Sequence, residues 1–92
     1  MLEKEIELQL VRAVKRMGGQ AVKFTSPGLD GMPDRLVLMP GGKCGFVEVK
    51  APGKKPRALQ LVRLDMLKDL GFKAYVLDAG ERIEEIINEI SH

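Results

Sequence analysis

Two short apolar segments with almost nothing between them constrain this chain most. Arg35 to Met39 reads Arg-Leu-Val-Leu-Met, Cys44 to Lys50 carries Phe46, Val47 and Val49, and a Pro40-Gly41-Gly42 turn joins them. Residues of this kind favour strands, and so short a connection leaves no room for a crossover, so the spacing predicts an antiparallel hairpin. Upstream, Ile6, Leu10, Ala13, Val14 and Met17 recur at helical spacing, which predicts a helix over 3–17 ended by Gly18-Gly19. Ala21 to Thr25 is a short candidate strand, and the Gly- and Pro-rich stretch from Ser26 to Pro33 is a loop.

Downstream, Pro56 suits the first turn of a helix with Leu59, Val62, Met66 and Leu70 as its apolar stripe and Gly71 at its end. Phe72 to Leu77 reads as a fourth strand. Asp78 followed by Glu81 resembles a capping arrangement for a last helix striped by Ile83, Ile86, Ile87 and Ile90. The expected order is α-β-β-β-α-β-α, an α/β arrangement in which a small mixed sheet is flanked by helices. Ninety-two residues suit one domain spanning 1–92. No apolar run approaches the roughly 20 residues of a membrane span, and the N-terminus is too acidic for a secretory signal. Cys44 is the only cysteine, which excludes an internal disulfide framework and fits a reducing cytoplasm.

Strand alternation puts Phe46, Glu48 and Lys50 on one face of the third strand and Val47 and Val49 on the other. Both faces of a sheet flanked by helices are covered, and charges there are costly unless paired or bound to something. Glu48 and Lys50 are therefore either a surface pair on a half-exposed sheet or part of a site. Asp34, at the start of the neighbouring strand, either opens that strand or faces the same space. In the first helix, Glu7 falls inside the apolar stripe, between Leu10 and Val11 at about 100° per residue, with Glu3 one turn earlier. Each is a candidate further acid, or an ordinary acid at a helix start. Gln60, beside Leu64 and Leu67, reads on pattern alone as a surface helical residue.

The formal charge of +2 is too small to argue for nucleic-acid binding, but its distribution is uneven. No acidic residue occurs from Val49 to Leu64, where Lys50, Lys54, Lys55, Arg57 and Arg63 all fall. The three Phe and one Tyr do not cluster with these basic residues, which disfavours a base-stacking platform for single strands.

Gly31-Met-Pro-Asp34, Gly41-Gly42, Val47-Glu48-Val49-Lys50 and Gln60, in that order, resemble the VRR-NUC family of the PD-(D/E)XK nuclease superfamily, in the short stand-alone form of phages and bacteria. The likeness runs from Glu3 to about Ile90. It implies a restriction-endonuclease-like fold, with Asp34, Glu48, Lys50 and Gln60 as catalytic residues and Glu7, or else Glu3, as the helix acid. It also implies a Mg²⁺ or Mn²⁺ ion held by Asp34, Glu48 and the Val49 carbonyl, with Glu7 acting directly or through water. Lys54, Lys55, Arg57 and Arg63 would follow a DNA backbone. The expected activity is metal-dependent DNA endonucleolysis, with Holliday junctions or other branched DNA as the implied substrate. A homodimer is expected because symmetric cleavage needs two sites. A nicking or repair nuclease on non-branched DNA, and a non-catalytic DNA-binding module of the same fold, are the alternatives.

Overall fold

The computed structural model describes residues 1–92. Helix α1 (Glu3–Arg16) is followed by strands β1 (Gln20–Lys23), β2 (Arg35–Met39) and β3 (Lys43–Val49). Helix α2 (Ala58–Asp69), strand β4 (Ala74–Leu77), a single 3-10 turn (Gly80–Arg82) and helix α3 (Ile83–Ile90) complete the chain. The expected element order holds. The sheet runs β1-β2-β3-β4, with the first two pairings antiparallel and β3 parallel to β4 across α2.

The two faces of the sheet carry different cores. Ala21, Val37, Met39, Val47, Val49 and Leu77 meet Ile6, Leu10, Ala13 and Val14 of α1 and the four Ile side chains of α3. On the other face Phe46, Ala74 and Val76 pack against Met32 and against Leu64, Met66 and Leu67 of α2. The Val47–Val49 parity therefore holds, and Glu48 faces α2.

Several boundaries differ from the sequence expectation, each for a local reason. Helices α1 and α2 end in the same glycine cap: Gly19 and Phe72 N–H groups bond back to the Val14 and Leu67 carbonyls, each at 2.9 Å, past Gly18 and Gly71 at positive φ. Phe72 is thus consumed in closing α2, and β4 starts two residues later than expected. Helix α2 starts at Ala58, outside Pro56, because the Gln60 side chain takes the Arg57 N–H at 2.8 Å. Asp78 makes no capping bond, and the 3-10 turn leads into α3 instead.

The largest correction concerns α2. The side chains that meet the sheet are Gln60, Leu64 and Leu67, whereas Leu59, Val62 and Leu70 of the expected stripe are exposed. The helix is apolar on two faces, so periodicity alone gives no unique inward side.

Candidate metal centre

Three segments converge at the β3 end of the hairpin. The β2–β3 register places Arg35 opposite Val47, which brings Asp34 alongside the last residues of β3. There the Val49 N–H donates to Asp34 Oδ1 at 3.2 Å, so the residue expected to lend its carbonyl also fixes the first acid. Lys50 follows directly, its own N–H bonded to the Leu77 carbonyl of β4 at 2.9 Å.

Glu48 lies beneath α2 with only 3% of its surface exposed. Its Oε2 accepts a hydrogen bond from Gln60 Nε2 at 2.9 Å and lies 3.2 Å from Lys50 Nζ. Its Oε1 is buried with no hydrogen-bond partner. An orphaned carboxylate oxygen is costly, since burial removes the water that would have solvated it. Gln60 is itself buried, and each end of its amide is used: the oxygen by the Arg57 N–H, the nitrogen by Glu48. The pattern-only reading of Gln60 as a surface residue is therefore overturned. A residue able both to accept and to donate is needed at this spot.

Asp34 is half-buried and also crowded by like charge. Burial, then the Glu48 carboxylate, push its carboxyl up to about 6; Glu7 adds to the rise, and the Val49 N–H opposes it. Glu7 is half-buried and ion-paired with Arg35, whose Nε and Nη2 both lie 3.1 Å from Glu7 Oε2. The same guanidinium reaches the Ala21 carbonyl through Nη1 at 3.0 Å. Glu3 is exposed at the first residue of α1. Glu7 is therefore the helix acid whose charge reaches Asp34, although no three His, Cys, Asp or Glu side chains converge as a ready-made ligand set.

Arg35 was not singled out from the sequence, but a signal existed. Alternation puts it on the same face of β2 as buried Val37 and Met39, where a charge needs a partner. Among the basic residues, Lys54, Lys55 and Arg57 are exposed between β3 and α2, while Arg63 donates its Nε to the Asp30 carbonyl at 2.8 Å. A cleft of about 460 Å³ lies elsewhere, between α1 and the start of α3, and includes none of the candidate residues. The candidate acids lie apart from that cleft, so chemistry and not cavity size locates the site.

The donor set fits a hard divalent cation. Two carboxylates, one with an unpartnered buried oxygen and the other with its carboxyl pushed up to about 6 by burial and then by the Glu48 charge, carry negative charge that such an ion relieves. Mg²⁺ prefers oxygen ligands and keeps several waters, so it does not require three protein acids.

A mixed four-stranded sheet between helices, with two acids and a lysine where its central strands meet, is the restriction-endonuclease-like α/β fold. No family model matches the chain. A solved structure described as a VRR_NUC domain superposes with a TM-score of 0.85 over 94% of each chain at 26% identity. A protein of Acyrthosiphon pisum secondary endosymbiont phage 1, with the printed name "Putative nuclease p44", is 52% identical over 79 residues, spanning 86% of this chain and 85% of the relative. The chain belongs to the VRR-NUC family of the PD-(D/E)XK nuclease superfamily. No helix is long and apolar enough to cross a membrane.

Proposed function

We propose that this protein is a divalent-metal-dependent DNA endonuclease whose ion is held by Asp34, Glu48 and the Val49 carbonyl, with Glu7 at the margin. The observation that carries this reading is the asymmetry of Glu48. One oxygen is fixed by Gln60 and Lys50, and the other is buried and free to ligate. A bound Mg²⁺ or Mn²⁺ would supply charge to neutralise a phosphoryl oxygen and acidity to a water.

The chain's own groups do the rest. Gln60 holds the Glu48 carboxylate in one orientation, which removes the cost of ordering it during reaction. Lys50 Nζ, beside Glu48, would orient or deprotonate a water, or offset negative charge developing on the phosphoryl oxygens of the pentavalent transition state. Lys54, Lys55 and Arg57 are exposed just after that lysine and would run along the DNA backbone, giving salt-sensitive binding with little base preference.

Branched duplex DNA, with Holliday junctions foremost, is the substrate that family membership favours. One centre cuts one strand, so a twofold homodimer is the working assembly for symmetric cleavage. The test is cleavage of junctions, flaps, nicked and linear duplexes in Mg²⁺, in Mn²⁺ and in EDTA, with Glu48→Ala and Lys50→Ala as controls. Metal-dependent cutting lost in both variants is expected. Undiminished cutting by both would overturn the assignment, and equal cutting of every substrate would remove the branched-DNA preference.

A further inference from the structure

We infer that Arg63, with Leu59, is a positioning residue that sets Asp34 relative to Glu48, and not a contact to DNA phosphate. This rests on the metal-centre reading above. Asp34 ends a long loop that is closed at its base by the Phe24 N–H bonding to the Asp34 carbonyl at 2.9 Å. The half of the loop that leads into Asp34 lies directly on α2. Arg63 Nε donates to the Asp30 carbonyl at 2.8 Å. Gly31 has φ +85°, and a Cβ there would sit 2.8 Å from Leu59 Cγ and 3.1 Å from the Leu59 carbonyl oxygen. Met32 joins the Leu64–Leu67 cluster, and Pro33 is fully buried.

The same turn of α2 thus grips both halves of the centre. Leu59 and Arg63 hold the approach to Asp34, and Gln60 between them holds Glu48. The separation of the two acids is fixed by one rigid helix instead of by the loop. Arg63 makes its bond with Nε, the nitrogen nearest its stem, which ties the side chain to the loop backbone, and the salt dependence of DNA binding tests whether its charge also meets phosphate.

Two readouts separate the roles. Mn²⁺ affinity is measured by calorimetry on the full chain without DNA. DNA affinity is measured against salt in Ca²⁺, with Lys54→Gln as the phosphate-contact reference. For Arg63→Gln the expected result is Mn²⁺ binding weakened by about tenfold, with an unchanged salt slope. Removing a nearby positive charge would by itself tighten Mn²⁺ binding, so weakening marks lost positioning. Leu59→Ala, which opens the same seam without altering charge, is expected to weaken Mn²⁺ binding in the same direction. Unchanged Mn²⁺ affinity in both variants, or a salt slope lowered by about one in Arg63→Gln, would overturn the inference. Failure of the wild-type chain to bind Mn²⁺ would instead overturn the metal-centre reading.

Discussion

Gln60 Nε2 lies 2.9 Å from Glu48 Oε2, and the opposite end of the same amide closes the first turn of α2. One side chain joins helix initiation to the orientation of the central acid. Gln60→Leu loses both bonds, so stability should fall by about 2 kcal/mol, from roughly 1 kcal/mol per bond. Cleavage should fall by about 100-fold as the carboxylate loses its fixed orientation. Gln60→Glu keeps an acceptor for the Arg57 N–H but sets a second carboxylate against Glu48. It should start the helix normally and still lose cleavage. Circular dichroism melts with single-turnover rates separate the two effects.

Asp34 should add to the acid tolerance of the metal-free protein. Its folded pKa of about 6 lies above the ordinary value of 3.8, so the folded state holds this proton more tightly than the unfolded chain. Between those values the native protein binds more protons, and the contribution of Asp34 to stability falls as pH rises through the window. In EDTA, the melting temperature should therefore gain from this group on going from pH 7 to pH 5. Asp34→Asn should remove that gain and raise the metal-free melting temperature at pH 7, while abolishing cleavage. A melting temperature at pH 7 lower in Asp34→Asn than in the wild type would contradict the crowding of charge at this centre.

Metal ions should reverse that pattern. A cation held by Asp34 and Glu48 favours their ionised forms and binds only the folded chain. At 100 times its dissociation constant it would add about 2.7 kcal/mol, which corresponds to roughly 10 °C or more for a domain of this size. Glu48→Gln should abolish the increment, and acidification below pH 6 should shrink it as protons compete for Asp34. Thermal melts with and without Mg²⁺ at several pH values measure both.

Gly19 provides a prediction about the scaffold alone. A Cβ there would come 2.3 Å from the Leu38 carbonyl oxygen and 2.5 Å from Met39 Sδ. The carbonyl belongs to the sheet and cannot move aside cheaply, so Gly19→Ala should cost about 3 kcal/mol through overpacking. Chemical denaturation should show the loss, and the relative Mg²⁺ stabilisation of the remaining folded protein should be unchanged.

The hairpin, the element order and the buried faces of α1, β3 and α3 were legible because each carries one unambiguous period. The four Ile residues of α3, for example, permit a single inward side and are all buried. Strand parity gave Glu48 and Lys50 a shared face but left their role open, and Asp34 and Gln60 joined them as a site only through family likeness. Arg35 and Arg63 show what was not legible. Which partner a long, flexible cation reaches depends on distances across the fold: 28 residues of sequence separate Arg35 from Glu7, and 33 separate Arg63 from Asp30. Strand β4 was read too long because Phe72, a good strand former, is drawn into the end of α2 by Gly71.

The two apolar faces of α2 have a consequence for how the molecule selects one native state. Rolling that helix by about a third of a turn would lay Leu59, Val62 and Leu70 on the sheet in place of Leu64 and Leu67. Hydrophobic burial discriminates poorly between these two seatings, because each offers a run of large aliphatic side chains. Glu48 discriminates sharply: only the observed seating brings Gln60 to its carboxylate. The acid proposed to hold a metal ion therefore also serves as the rotational key of the helix above it, and erasing it would leave the Arg63–Asp30 bond as the remaining polar contact that seats α2 on this side.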